Sequence, residues 1–258
     1  MGWVNGNSIY ICDPLESWYD NHSGQYLLAQ ENALVEQQLQ QVFGYHFLQI
    51  GVTRNQALGK TSPLNHKTYS AILPGPDIGL LSDAHSLPFA DDSLDVVLLH
   101  HALEFSQHPH SLLREVHRVV SAQGHILILG FNPLSLLGLS LGVRRFLPGK
   151  LWQQANIMST GRLRDWLHLL GAEVQSTHHC YAVPPKGGER VFRYLQAADS
   201  YITRHNWPVG GVYLVHAQKK VVTLTPSRLR WQSGMGSKLI GLTVPKPVPN
   251  PRAGDVAA

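Results

Sequence analysis

Apolar and polar positions change their spacing several times along the first half of the chain. Residues 1–23 show no clear period and are expected to form an irregular lead-in. Apolar residues then recur three or four positions apart, which predicts a helix from Gly24 to Phe43 that ends at Gly44. Short apolar runs bounded by turn residues predict four strands: Tyr45–Gly51, Thr68–Leu73, Ile78–Ser82 and Ser93–Leu99.

The second half continues the alternation of helices and strands. Helices are predicted over Pro109–Val120, over Ser159–Leu170 and near Glu189–Ile202, and strands over His125–Phe131, Glu173–Thr177 and Val212–Ala217. This order indicates an α/β fold, a doubly wound and mostly parallel seven-stranded sheet with helices on both faces. The predicted domain covers residues 24–220, with a lid-like insertion at 132–158. Residues 221–258 are rich in proline and poor in acids, which is typical of a flexible tail.

Length and composition indicate one globular domain with additional segments, or at most two domains. The chain has 258 residues, of which 43% are apolar and 15% charged, enough to bury a full-sized core. Its two cysteines are far apart, so neither a disulfide scaffold nor a Cys-x-x-Cys metal site is indicated. The net charge of +4 arises in residues 219–258, which hold seven basic residues and one acid. We find neither a signal peptide nor a membrane-spanning run, and we expect a cytoplasmic protein.

The predicted topology indicates where a ligand should bind. In an open doubly wound sheet, ligands lie beyond the carboxyl ends of the strands, near the point where the strand order reverses. Seven residues lie at the ends of four predicted strands: Gly51 and Val52, Asp83 and Ala84, His100 and His101, and Asn132.

One block of about fifteen residues resembles a known family. The block reads Asp83-Ala84-His85-Ser86-Leu87-Pro88-Phe89-Ala90-Asp91-Asp92-Ser93-Leu94-Asp95-Val96-Val97. It resembles the pattern Asp-x-x-x-Leu-Pro-Phe-x-Asp-x-Ser-Phe-Asp-x-Val of class I S-adenosylmethionine-dependent methyltransferases. The branch that it resembles includes the quinone-biosynthesis C-methyltransferases. The family's Leu-x-Glu-x-x-Arg-Val-Leu-x-x-Gly-Gly run is similar to Leu113–Gly124. The resemblance implies the Rossmann-like fold of these enzymes, S-adenosylmethionine as cofactor and methyl transfer as the reaction.

The resemblance also implies contacts to the cofactor. The carboxylate of Asp83 would accept a hydrogen bond from the adenine amino group, and the backbone N–H of Ala84 would face a ring nitrogen. The predicted cofactor contacts are Gly51, Val52, Asp83, Ala84, Leu99 and His100.

Two other family motifs are incomplete. Of the usual Gly-x-Gly-x-Gly after the first strand only Gly51 is present, with Gln49 near the position of an acid. The acid that binds the ribose hydroxyls is missing from Leu73-Pro74-Gly75, and Asp77 is a late substitute. The alternative is therefore an inactive methyltransferase fold that serves as a binding module, with the basic tail contacting RNA.

The methyl acceptor is expected to be a small or lipid-like molecule. His100 and His101 are candidate catalytic residues, because a neutral imidazole accepts a proton from a hydroxyl or an activated carbon; alternatively, one ring is packed and the other solvated. Candidate acceptor contacts are Asn132, Arg144 and Arg145, in a segment that either forms a lid or closes the core. The histidines show no zinc-site spacing, and no metal is predicted.

Overall fold

The protein is an α/β domain built on one seven-stranded sheet. A computed structural model describes residues 7–144, 155–181, 199, 201 and 205–220, without the side chains of residues 7–11 and 144. The described helices are α1 Asn7–Tyr19, α2 His22–Leu39, α3 Pro109–Val119, α4 Leu136–Arg144 and α5 Thr160–Leu169. The strands are β1 His46–Gly51, β2 His66–Ala71, β3 Leu80–Leu81, β4 Leu94–His100, β5 Val120–Phe131, β6 Ala172–Cys180 and β7 Val212–Lys219.

The order of the strands confirms the predicted doubly wound sheet. The order is β3-β2-β1-β4-β5-β7-β6. Strands β1 to β5 pair in parallel, whereas β7 runs antiparallel to both of its neighbours. The order reverses between β1 and β4, so the carboxyl ends of these two strands form the edge where a ligand is expected.

Alternate residues of the central strands fill two cores, one on each face of the sheet. On one face Phe47, Leu98 and Leu129 pack with Leu27 and Val35 of α2. On the other face, Leu48, Val97 and Ile128 of the same strands pack with two helices. The helix residues of this second core include Leu112 and Val116 of α3 and Leu163 and Leu167 of α5. Because side chains of a strand alternate between faces, a strand covered on both sides reads as a continuous apolar run.

Helix α1 corrects the prediction of an irregular lead-in. Cys12, Leu15 and Tyr19 lie on one face of this helix and are nearly fully buried. The Asp13-Pro14 pair interrupts the apolar spacing, and Pro14 lies inside the helix. Proline is usually excluded from helix interiors, so the sequence in this region does not show the pattern of a regular helix.

Most other elements lie within a few residues of their predicted positions. Strand β5 is longer than predicted because it starts at Val120, and its register with β4 shifts between Leu94 and Val96. The helix predicted near Glu189–Ile202 and the tail at 221–258 lie outside the described residues, apart from residues 199 and 201. Among the described helices, none combines the length and apolar character that crossing a bilayer requires.

Candidate functional site

The ends of β1 and β4 meet at Gly51 and His100. These two residues are partners in the parallel register. A Cβ placed on Gly51 would lie 3.8 Å from Nε2 of Gln49 and from the carbonyl oxygen of Thr53, and 4.0 Å from Nδ1 of His100, which are ordinary van der Waals distances. The described neighbours of Gly51 therefore do not require glycine here. A glycine that its neighbours do not require is what the close approach of a ligand to the backbone would explain.

Asp83 and Ala84 follow β3 at the same edge of the sheet. Asp83 Oδ1 accepts a hydrogen bond from the backbone N–H of His85 at 2.8 Å and lies 3.2 Å from His85 Nδ1. Within the described part of the chain, neither Asp83 Oδ2 nor the Ala84 N–H makes a hydrogen bond. Thus one acceptor and one adjacent donor remain available at the positions that the family resemblance assigns to adenine.

The segment after Asp83 is held by helix α3. Glu115 accepts a hydrogen bond from the backbone N–H of Leu87 at 2.8 Å, and Arg118 pairs with Glu115 at 2.6 Å. Arg118 also forms an ion pair with Asp91 and donates to the carbonyl of Phe89. The two stretches of sequence that resemble the family are therefore one structural unit, which fixes the turn that carries Asp83.

The loop after β1 lacks the family's glycines, and side-chain hydrogen bonds hold its shape instead. Gln49 donates through Nε2 to the carbonyl of Gln56 at 2.5 Å and accepts from the backbone N–H of Leu58 at 2.9 Å. The Thr53 hydroxyl donates to Gln56 Oε1 at 2.6 Å. The side chain at the usual acid position is thus used to shape the loop.

Helix α1 is tied to this loop by ion pairs. Arg54 contacts Glu16 at 2.6 Å and Asp13 at 2.7 Å, and its backbone N–H donates to Glu16. Burial would raise the pKa of the Glu16 carboxyl, but the hydrogen bonds from Arg54 outweigh it and lower that pKa. Because Arg54 packs against Gly75, this loop lies beside the end of β2.

No acid takes the ribose position at the end of β2 among the described residues. The late substitute, Asp77, is partly exposed and pairs with Lys60 at 3.0 Å. The adenine side of the site therefore has more polar groups available for binding than the ribose side.

His100 and His101 both contact one carboxylate from α2, which the sequence analysis did not identify. Glu31 lies 3.1 Å from Nε2 of His100 through Oε2, and 2.9 Å from Nε2 of His101 through Oε1. Both histidines are 1% exposed and Glu31 is 0% exposed. The expectation that one ring is solvated is therefore wrong. Their catalytic role stays a prediction, and burial limits direct contact with an acceptor.

An unusual backbone conformation brings the two rings together. Consecutive residues of a strand point to opposite faces. His101 has a φ of 52°, in the left-handed region, at a cost of about 1–2 kcal/mol for a residue with a side chain. This turn lets both rings face Glu31.

Charge and burial act against each other in this cluster. Burial would raise the pKa of Glu31, but the charge of His101 and hydrogen bonds from both rings lower it. Burial would likewise lower the pKa of His101, but Glu31 and Glu104 raise it. For His100 burial dominates and lowers the pKa, so this ring is neutral near pH 7.

The side chains of Asn132 and Leu99 are both buried. The amide of Asn132 donates to the carbonyls of Pro208 and Gly210 at 2.9 Å each and accepts from the N–H of Leu134 at 3.1 Å. It anchors the chain before β7, and its contact with an acceptor stays a prediction, as does the contact of Leu99 with the cofactor. The side chain of Leu99 is fully buried in the core.

Three further candidate residues are Val52, Arg144 and Arg145. Val52 is partly buried and packs against the core. The side chain of Arg144 and the whole of Arg145 lie outside the described residues.

Helix α4, within the predicted lid, has an apolar outer face. Leu136, Leu139 and Val143 recur at helical spacing and are 67%, 65% and 56% exposed. Leu137 and Leu141, on the opposite side, pack in the core. The helix follows β5 directly, so an uncovered apolar surface continues from the ligand edge of the sheet.

Both cysteines are unsuited to nucleophilic chemistry. Cys12 and Cys180 are buried free thiols. Burial, together with the nearby Glu16, raises the pKa of Cys12 to about 12. Burial also raises the pKa of Cys180. Since the thiolate is the reactive form, packing accounts for both residues.

Comparison with known proteins agrees with this geometry. A family model described as a methyltransferase domain matches residues 32–128. The chain is 31% identical over 189 residues to the YafS protein of Escherichia coli K12, which covers 71% of this chain and 72% of that protein. The chain belongs to the class I S-adenosylmethionine-dependent methyltransferase superfamily. The resemblance stated from the sequence is confirmed.

Solved structures support the same fold for this member of the superfamily. An S-adenosylmethionine-dependent methyltransferase of Thermotoga maritima superimposes with a TM-score of 0.53 at 17% identity, over 76% of this chain and 93% of that chain. A chain from the complex of the Haloferax volcanii Trm112 methyltransferase activator with a methyltransferase gives 0.56 at 14% identity, over 82% and 98%. At such identities the likeness concerns the fold alone.

Proposed function

We propose that this chain binds S-adenosylmethionine at the carboxyl ends of β1 and β4 and transfers its methyl group to a small or lipid-like acceptor. The observation that carries the proposal is the pair formed by Asp83 Oδ2 and the Ala84 N–H. They offer one acceptor and one donor without partners in the described chain, which matches the amino group and ring nitrogen of adenine. Gly51, a glycine that its described neighbours do not require, supports the approach of the ligand to the backbone.

The chemistry asks little of the protein beyond position. S-adenosylmethionine supplies, when bound, a methyl group on a sulfonium that already carries its leaving group. Holding two reactants in line can contribute roughly 7–11 kcal/mol to the lowering of a barrier. Helix α1 covers this edge, since Tyr19 lies 6.0 Å from the His100 ring and Trp18 6.4 Å from Phe131, measured between ring centroids. In this proposal the helix excludes water from the reacting groups.

The acceptor class follows from helix α4. Its exposed Leu136, Leu139 and Val143 offer an apolar surface beside the ligand edge. Burial of apolar area contributes about 25 cal/mol per Å² to binding. A partly apolar acceptor would gain from this surface, whereas a highly charged one would not.

Calorimetric titration with S-adenosylmethionine and S-adenosylhomocysteine tests donor binding. We expect both ligands to bind the wild-type protein, and Asp83→Asn to weaken binding about tenfold, since it loses a charge-assisted hydrogen bond. Asp165→Asn, which changes an exposed acid on α5, is the matched control and should bind as the wild type does. Absence of heat and of a thermal shift with either ligand at millimolar concentration would refute donor binding.

Transfer itself is tested with a methyl-labelled donor. We expect label to move from S-adenosylmethionine into the organic-soluble or small-molecule fraction of a cell extract. Binding without transfer to any fraction would instead support the inactive binding module. Transfer only to protein or nucleic acid would contradict the proposed acceptor class.

A further inference from the structure

The buried cluster of Glu31, His100 and His101 has the composition of a metal site. One ligand atom from each residue can be chosen so that all three lie within 4.8 Å of one another. We propose that these three side chains bind a divalent transition-metal ion. Two imidazoles and one carboxylate are ligands that Zn²⁺ and similar ions of intermediate softness prefer in proteins.

A neighbouring carboxylate supports one of the proposed ligands from behind. Nδ1 of His101 faces Glu104 Oε1 at 3.5 Å, while its Nε2 faces Glu31. Glu104 is itself held by the backbone N–H of Phe131 at 2.7 Å. A carboxylate on the outer nitrogen of a histidine is a recurrent arrangement around protein-bound metals, where it orients the ring.

Three buried polar atoms around the cluster have no hydrogen-bond partner in the described part of the chain. They are the Tyr19 hydroxyl, Nδ1 of His101 and Oε2 of Glu104. Buried polar atoms are nearly always paired, and an exception calls for a bound water or ion. Nδ1 of His101 and Oε2 of Glu104 belong to a proposed ligand and to the carboxylate behind it, and the Tyr19 ring lies 6.0 Å from the His100 ring, measured between centroids. The cluster therefore has unpaired polar atoms beside it in the described part of the chain.

A second group of potential ligands on α1 differs in these respects. Cys12, Asp13 and Glu16 also lie close together. However, Asp13 is exposed, and Arg54 already pairs with both acids. The argument for a metal therefore applies to the cluster at His100 and not to this group.

Metal content of the purified full-length protein tests the proposal independently of donor binding. The protein is produced in medium supplemented with Zn²⁺ or with Co²⁺, because exchange into a buried site is slow. We expect about one metal ion per chain by elemental analysis, and Co²⁺ absorption bands typical of nitrogen and oxygen ligands. Glu31→Gln keeps the size of the side chain and should lower metal content at least about fivefold, in line with the loss of a ligand.

Controls separate this site from other histidines. His216→Gln removes a different buried histidine and should retain the full metal content. If Glu31→Gln does not fold, the wild-type protein still decides the matter through its metal content and its thermal midpoint, which a chelator should lower. A wild-type protein with less than about 0.1 metal ion per chain from both media, and no effect of chelator, would overturn the proposal. Equal metal content in wild type and Glu31→Gln would also overturn it.

Discussion

The backbone N–H of Leu87 donates to the carboxylate of Glu115 at 2.8 Å, although 28 residues separate the two in the chain. Arg118 holds the same carboxylate and reaches the carbonyl of Leu87. Together these contacts fasten the turn after β3 to helix α3. The positions of the proposed adenine contacts therefore depend on helix α3, which holds the turn that carries them.

Replacing Arg118 with alanine should loosen this turn. We expect the free energy of unfolding to fall, because several charge-assisted hydrogen bonds are lost. Donor affinity should fall about tenfold as Asp83 becomes mobile, which is a loss of about 1.4 kcal/mol. Urea denaturation and calorimetry measure the two effects. Arg114→Ala, on the exposed side of α3, is the control; equal effects of both variants would contradict the clamp.

Gly51→Ala should separate ligand binding from stability. An added methyl group would meet its nearest described neighbours at van der Waals distances of 3.8 Å or more, so we expect the thermal midpoint to change little. The methyl group would occupy the space that the donor needs, and affinity should fall at least about tenfold. Gly161→Ala on α5, where an added Cβ has no described atom within 4 Å, should leave affinity intact. Undiminished donor binding by Gly51→Ala would place the ligand elsewhere.

His216 should make the protein sensitive to acid. Burial, then the nearby His125 and His178, lowers the pKa of this residue from 6.5 to about 4. Between these values the unfolded state binds more protons, so stability present above pH 6.5 is lost as the pH falls towards 4. At pH 5 we expect a loss of about 2 kcal/mol, measured by urea denaturation.

The matched variants for this pH dependence are His216→Gln and His205→Gln. The first removes the buried titrating ring and should flatten the curve between pH 7.5 and 5. The second changes an exposed histidine and should leave the curve as it is. If the His216→Gln curve keeps the slope of the wild type, another group causes the acid sensitivity.

Glu31→Ala should be among the more destabilising single substitutions. It leaves two buried imidazoles without their carboxylate, and breaking a buried charged pair typically costs about 3–5 kcal/mol. Chemical denaturation followed by circular dichroism measures the change. Gln37→Ala, exposed on the same helix, should cost less than about 0.5 kcal/mol. A loss below about 1 kcal/mol for Glu31→Ala would show that the rings have another partner.

The hydrophobic pattern was enough to predict the sheet and most helices. Strands such as β4 are buried on both faces, so their apolar runs are long and clear. Helix α1 was missed because its buried residues are few and Pro14 interrupts them. The antiparallel course of β7 and the register shift of β5 depend on pairing between distant segments, which local spacing does not encode.

The site was predicted in part, for reasons that follow from its geometry. Position after a strand was sufficient to select Gly51, Asp83, His100 and His101. Glu31 was missed, since it lies 69 residues before His100. Its position four residues after Leu27 and four before Val35 put a carboxylate on the apolar face of a predicted helix, and that was the available signal. The role of Gln49 in shaping its loop had no such signal.

The position of Glu31 also bears on how this protein can be divided. The match to the methyltransferase domain begins at residue 32, one residue after Glu31 and beyond all of α1. A fragment cut at that boundary would keep both histidines of the cluster but lose their carboxylate, Tyr19 and the ion pair partners of Arg54. Such a fragment would contain the residues that match the family model but lack Leu15, Tyr19 and Leu27, which fill the core. We therefore expect it to be insoluble.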